Sequence, residues 1–396
     1  MRPLLFWLHL IIGVLAGIVI LIMSVTGALL AYERQILEWA DRDCRIAPPA
    51  PDAQRLPAES LLARVTEKFP GATPTALTLR ADPTAPAAIA FGRERTVYVN
   101  PYTGDILGEG SKSWRTFFHV ITDWHRWLGA HGENRATGKA ITGACNLAFL
   151  FLVVSGFYLW WPRTWAALKS VTSFRRGLTG KARDWNWHNV IGFWSAVPLF
   201  LIIITGAVIS YPWASNLVYR LTGSEPPLPR SAPGVPASQS SDPSTTKRKG
   251  EKTKRPDRGT APTAPPLHHS TTPSPSPTPL HPLLTTAQRH IPGWQTITLR
   301  LPVSDTASLT VEQSHRGRPD LRSTLTLDPQ SASIVNHETF TGYNLGRRVR
   351  TWMRWLHTGE AGGFLGQTLA LLASLGASVL VYTGLALTCR RLRAAL

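Results

Sequence analysis

His9-Leu-Ile-Ile-Gly13 opens an apolar run that closes on Thr26-Gly27-Ala28-Leu-Leu-Ala-Tyr32. Much later, His188-Asn-Val-Ile-Gly192 opens a second run that closes on Thr205-Gly206-Ala207-Val-Ile-Ser-Tyr211. All six matched positions keep their spacing without a gap, which marks an internal repeat. Each run approaches the roughly 20 apolar residues that a bilayer-crossing helix needs. Working outward, the apolar stretches are Phe6–Tyr32, Ala140–Trp161, Val190–Trp213 and Phe364–Thr388. The first is too long for the apolar core of a signal peptide and lacks a small-x-small cleavage site, so it reads as a retained span. Four spans are therefore expected.

The second and fourth stretches repeat as well. Arg126-Trp-Leu128 matches Arg354-Trp-Leu356 and Ser155-Gly156 matches Thr383-Gly384, with an offset of 228 in both places. Between the spans, Phe69–Arg80 resembles Ile291–Arg300, and Val97–Leu107 resembles Leu325–Val335, with turns at Asn100-Pro101 and Asp328-Pro329. Each unit reads as a short helix (Ala58–Phe69; Leu283–His290) followed by alternating strand-type segments. The fold class expected is an α-helical membrane protein with four transmembrane helices, arranged as two parallel span–module–span repeats, plus two small α+β modules. A pseudo-twofold axis along the membrane normal would relate the halves.

The formal net charge is +18. Its distribution argues for a membrane rather than nucleic acid. Arg163, Lys169, Arg175, Arg176, Lys181 and Arg183 crowd the stretch between Pro162 and Trp187 against a single Asp184, and Arg390, Arg391 and Arg393 follow the last span. Cationic segments beside spans mark the cytoplasmic side, so both termini are expected inside and the modules outside. The expected boundaries are 1–32 for the first span, 33–111 for module 1 and 112–161 for an interfacial helix with the second span. A basic loop (162–187), the third span (188–213) and an insert (214–282) follow. Module 2 takes 283–346, and 347–396 holds an interfacial segment, the fourth span and the tail.

Residues 223–282 hold 15 of the 32 prolines, a composition for an extended or disordered segment. Its His268, His269 and His281 read as solvated linker histidines. Cys44, Cys145 and Cys389 offer neither a disulfide framework nor metal spacing. There is no Walker loop, no Gly-x-Gly-x-x-Gly after a strand, no His-Glu-x-x-His and no Cys-x-x-Cys-His, which excludes the corresponding nucleotide, zinc-protease and covalent-haem chemistries.

The informative residues are histidines at membrane boundaries. His9 and His188 are repeat-equivalent on the inner side. His125 and His357 precede the second and fourth spans on the outer side, four positions apart in the ungapped alignment. A twofold axis brings equivalent residues towards each other, and two opposed neutral imidazoles fill both axial positions of a haem, the arrangement for electron transfer. A boundary histidine also serves as a plain interfacial hydrogen-bonding group, and both readings stand. His119 is the fallback for His125, and His131 lies in a break after it. Gly13 and Gly192 either let a flat macrocycle approach the helix or serve close helix packing. Trp124, Trp127, Trp352 and Trp355 flank the outer histidines, as a wall for a cofactor or substrate or as part of the interfacial belt.

The His-x3-Gly…Thr-Gly-Ala span, Trp124-His-Arg-Trp-Leu128, Leu356-His-Thr-Gly-Glu360, Tyr158-Leu-Trp-Trp-Pro-Arg163 and the two Asn/Asp-Pro modules resemble the PepSY-associated transmembrane proteins. The resemblance covers nearly the whole chain except the insert, whose length is a departure, as is Ala332 at the turn position of Gly104. The family includes bacterial inner-membrane ferric-siderophore reductases. What the resemblance implies is two b-type haems between the spans, with axial ligands falling on His9, His188, His125 and His357. It further implies periplasmic PepSY modules and a ferric-chelate reductase-type oxidoreductase that frees iron(II) from a siderophore. The partners are then a ferric siderophore, the lipid bilayer and a cytoplasmic or quinol electron donor outside this chain, with no nucleic acid. The rival from another class is a haem-free PepSY membrane protein that binds a peptide, protease or sensor partner through its outer modules.

Overall fold

The computed structural model describes residues 1–50, 53–92, 95–162, 164–226, 279–314, 317–394. The insert histidines His268 and His269 lie outside the described residues. The helices are α1 (Arg2–Leu30), α2 (Glu33–Ala40), α3 (Ala58–Lys68), α4 (Lys112–Trp127), α5 (Asn134–Trp160), α6 (Trp165–Thr172), α7 (Gly180–Ser210), α8 (Pro212–Leu221), α9 (Leu280–His290), α10 (Leu345–His357) and α11 (Gly363–Arg393). The strands are β1 (Ala76–Arg80), β2 (Ala87–Phe91), β3 (Arg95–Val99), β4 (Ile106–Gly108), β5 (Thr296–Arg300), β6 (Ala307–Glu312), β7 (Arg322–Leu327) and β8 (Ile334–Thr339).

Among the described residues four helices are long and apolar enough to cross a membrane: α1, α5, α7, and α11 with the short turn before it. The chain is a multi-pass helical membrane protein. α1 packs on α5 and α11, and α7 packs on the same two, so the spans close into a ring with α1 and α7 on one diagonal. Outward side chains such as Leu15 and Ile18 are exposed, as lipid-facing residues must be, because lipid tails solvate them as well as a protein core would. Small residues face inward: Ala16, Gly17, Ala28, Ala373 and Ala377 are buried.

The helices extend beyond the apolar stretches. α1 starts at Arg2, α5 at Asn134 and α7 at Gly180, so His9 and His188 sit about two turns inside their helices rather than at the first residue. Hydropathy sees only the hydrocarbon-facing core of a span, whereas backbone hydrogen bonding continues through polar interfacial turns. The insert is also shorter than 214–282. Pro212 occupies the first turn of α8, where its missing N–H costs nothing, and α9 begins at Leu280, which is buried with Leu283, Leu284 and Ala287.

The strands form a single antiparallel sheet in the order β4-β3-β2-β1-β5-β6-β7-β8. The two groups of four join edge to edge where β1 pairs with β5, and there Thr78 stands opposite Thr298, with their hydroxyls 3.1 Å apart. Joining the inner edges leaves only the outermost strands unpaired, which removes two edges that would otherwise template aggregation. Alternation places Leu77, Ile89, Val97, Ile297, Leu309 and Leu325 on one buried face, covered by α3 (Leu61, Val65) and α9 (Leu283, Ala287).

The two halves close their last hairpins with the same turn. Gly104 N–H donates to Asn100 O at 2.9 Å, and Ala332 N–H donates to Asp328 O at 2.9 Å. Gly104 has φ +77° and Ala332 φ +53°. The alanine is held in the left-handed region by the turn, at a steric cost glycine avoids. Ala332→Gly is expected to stabilise the protein by about 0.5–1 kcal/mol, after the extra unfolded-state entropy of glycine is subtracted. Urea unfolding of the full chain in micelles measures it, and a lower midpoint would show that the turn is not strained.

Candidate functional site

Four histidines sit at the two ends of the helical ring, and each is held by the same device. His9 on α1 places Nδ1 2.8 Å from Ser155 Oγ on α5. His188 on α7 places Nδ1 2.9 Å from Thr383 Oγ1 on α11. At the other end, His125 on α4 places Nδ1 3.0 Å from Thr26 Oγ1 on α1, and His357, the last residue of α10, places Nδ1 3.4 Å from Thr205 Oγ1 on α7. In every case a glycine follows the hydroxyl residue. A Cβ on Gly156, Gly384, Gly27 or Gly206 would stand 3.1–3.5 Å from the Cε1 of the adjoining imidazole. A hydroxyl to bind the ring and a bare backbone to seat it thus form a Ser/Thr-Gly cradle.

The partners assign the tautomer. Each hydroxyl donates its own proton to the carbonyl four residues earlier: Thr26 to Ile22 at 2.6 Å, Ser155 to Phe151 at 2.6 Å, Thr205 to Leu201 at 2.6 Å and Thr383 to Val379 at 2.8 Å. Its oxygen is then left to accept from the ring. For the second pair the assignment is doubly fixed, because His125 Nδ1 lies 3.0 Å from Met23 O and His357 Nδ1 lies 2.8 Å from Ile202 O. A carbonyl only accepts, so Nδ1 carries the proton. Each Nε2 keeps its lone pair, and a fixed Nδ1–H is the arrangement that orients a histidine for metal ligation.

His125 and His357 face one another, with ring centroids 6.4 Å apart and planes at 54°. A metal bound by two such nitrogens at about 2 Å each sets imidazole centroids roughly 6 Å apart, so the pair is spaced for one ion between them. His119 and His131 are not in this pair. Each has Nδ1 3.7 Å from Asp123 Oδ2, on a buried carboxylate that also meets Arg135 at 3.6 Å. Among the described residues no group of three or more His, Cys, Asp or Glu is arranged for a metal ion; the ligand capacity lies in pairs.

His9 and His188 both line one cavity of about 580 Å³, walled by residues of α1, α5, α7 and α11. That volume lies in the range of sites for organic ligands. Gly13 and Gly192 line it too, and a Cβ on either would meet nothing closer than 3.6 Å. Close helix contact therefore does not require these glycines, and their effect is to widen the cavity.

α4 and α10 owe their placement to local chemistry. α4 ends where Leu128 and Gly129 turn left-handed, with φ of 55° and 71°, three residues beyond His125. Near its start, Arg115 pairs with Asp41 at the end of α2, and Tyr98 of β3 donates to the same carboxylate at 2.9 Å. Burial pushes the Tyr98 phenol up to about 12, so it stays a donor and ties the sheet to the helix that carries His125. α10 is capped by Asn344, whose side chain accepts from Arg347 N–H at 2.8 Å, an N-cap bond.

The four tryptophans stand in different surroundings. Trp127 and Trp355 are buried, with Arg126 and Arg354 over their rings at 4.5 and 5.7 Å, while Trp352 meets Phe340 edge-on and Trp124 is 44% exposed. The histidine partners that the sequence does not single out are Ser155, Thr383, Thr26 and Thr205. Their Ser/Thr-Gly pairs are visible as repeats, but no sequence signal ties them to the histidines.

A family model described as the PepSY-associated TM region matches residues 6–391. A search of curated proteins found no match.

Proposed function

The chain belongs to the PepSY-associated transmembrane family, and from that premise we propose that it is a bacterial inner-membrane haem protein that moves electrons outward to reduce a ferric siderophore and release iron(II). One observation carries the reading: two histidine pairs, at opposite ends of the four-span ring, each with Nδ1 bonded and Nε2 left to ligate. The residues fit two b-type haems. His9 and His188 would hold one beside the apolar cavity, and His125 and His357, at 6.4 Å between centroids, would hold the other. A haem with two imidazole ligands supplies reversible one-electron exchange and leaves no open position for oxygen.

The chain contributes the rest. Ser155, Thr383, Thr26 and Thr205 lock the rings, so little reorganisation accompanies a change of charge at the metal. Two sites divide a hydrocarbon crossing of about 30 Å into shorter steps. The basic α5–α7 connection and the Arg-rich end of α11 support an orientation with the His9/His188 end and both termini on the cytoplasmic side. The sheet, formed by two PepSY-like repeats, then lies in the periplasm beside His125 and His357. Arg126 and Arg354 stand there to meet the anionic oxygens of a chelate. One electron delivered to siderophore-bound iron(III) yields iron(II), which hard oxygen donors hold less tightly.

Purified protein should show a split low-spin haem spectrum on reduction. Pre-reduced protein, mixed anaerobically with a ferric siderophore, should reoxidise while a ferrous-specific dye traps the iron. His357→Ala should slow that step at least tenfold while the inner haem still reduces. Colourless protein would favour the haem-free partner-binding reading. Haem that stays reduced across several chelate classes would keep electron transfer and remove iron release.

A further inference from the structure

The cavity beside His9 and His188 is apolar along its length but carries two cations, Lys181 and Arg391, in its lining. Both stand at the same level. On α7, Lys181, Trp185, His188 and Gly192 recur at helical spacing on one face, so Lys181 lies seven residues, about 10 Å, beyond His188. On α11, Gly384 seats the His188 ring, and Arg391 lies seven residues beyond it, again about two turns. Adjacent helices therefore present one cation each, at matching distance from the same imidazole.

The neighbouring cations are committed elsewhere. Arg183 and Arg390 both pair with Asp184, at 2.8 and 3.0 Å, and that carboxylate is completely buried. Arg2 donates to the Trp161 carbonyl at 3.3 Å. Among the described residues, neither Lys181 nor Arg391 has a carboxylate within ion-pair distance. Arg391 is instead held over the rings of Phe6 and Trp7, at 5.0 and 4.8 Å, and Phe6 also lines the cavity. Two positive groups at one end of an apolar, imidazole-lined cavity describe a complementary ligand: flat and apolar, with two carboxylates on one edge.

We propose that Lys181 and Arg391 seat the two propionates of the inner haem and so fix its orientation, edge towards the basic end of the bundle. The proposal rests on the haem reading above. Propionates entering the cavity elsewhere would lose hydration without a partner, whereas at this end each forms a charge-assisted hydrogen bond. Recognition is thus by carboxylate, and the same chemistry would also accept a lipid phosphate.

The test uses the full chain, stripped of haem and placed in phosphatidylcholine nanodiscs, in a His125→Ala/His357→Ala background that isolates the inner site. It is titrated with haem and with haem dimethyl ester, whose carboxylates are blocked, and binding is read from the Soret band. Haem is expected to bind at least tenfold more tightly than the ester. Lys181→Gln/Arg391→Gln should bring the two affinities together, and Arg393→Gln should leave the difference intact. Equal affinities in the unsubstituted cavity, or a difference that survives the double substitution, would overturn the seat while leaving the haem reading standing. The first of these comparisons needs no rim variant and so does not depend on one folding. Co-purified phosphatidylglycerol that disappears in the double variant, with haem and ester bound alike, would assign the seat to lipid instead. Failure of both haem and ester to bind any form of the chain, unsubstituted protein included, would remove the haem reading itself.

Discussion

Substitution of both His9 and His188 by alanine is expected to remove about half of the haem from the purified protein, and either single substitution nearly as much, because one imidazole rarely retains a b-type haem. The two rings share one cavity and one mode of support, through Ser155 and Thr383, yet neither touches the His125/His357 pair at the other end. The remaining haem should therefore keep its reduced spectrum and its reactivity towards a ferric chelate, while reduction from the cytoplasmic side should fall by orders of magnitude. Pyridine-haemochrome content per chain measures the first effect and stopped-flow reduction the second. Full haem content in the double variant would remove the inner assignment outright.

Gly138→Ala should separate the two ends in the opposite sense. Gly138 lies in the first turns of α5, directly against the end of α4, and an added Cβ would collide with the Trp127 carbonyl oxygen and stand 2.9 Å from its carbon. Backbone on both sides cannot yield as a side-chain tip can, so the α4–α5 junction must open. Overpacking of this kind costs roughly 1–3 kcal/mol. The displaced segment begins two residues after His125, so the outer pair should lose its spacing and its haem, with the inner cavity unaffected. Gly13→Ala is the contrast in stability, since its nearest neighbour would be a Leu152 methyl at 3.8 Å; an unchanged unfolding midpoint is expected. Denaturant unfolding and haem content measured together decide the matter. A Gly138→Ala protein with both haems and unaltered stability would show that the junction carries no constraint on His125.

Much of this was legible in the chain. A span of this length and composition has few alternatives to a helix, because every backbone polar group must bond internally in hydrocarbon. The same physics makes the repeat readable, since matched histidines and Thr-Gly steps stand out against an apolar background. The alternation of β1 and β5, and the Asn/Asp-Pro turns, follow from equally local rules. Even Ala332 was marked as an anomaly by its place in the repeat, and it takes the left-handed conformation of Gly104.

What the sequence by itself determined, then, was everything that a segment settles alone: four spans, two strand-rich units, and histidines near the span boundaries. Tertiary structure decided which groups meet. From the sequence the two strand-rich units read as separate modules, and only the β1–β5 pairing shows one sheet, because strand edges advertise a bonding capacity without naming a partner. The outer pair was ambiguous among His119, His125 and His131. Packing of α4 on α1 sets the His125 ring on Thr26 and leaves the other two beside Asp123. The Ser/Thr-Gly cradles and the Lys181/Arg391 rim were unreadable for the same reason. Each joins residues on different helices, and the hydrogen bond or charge that unites them depends on distance in space, which spacing along one helix does not encode.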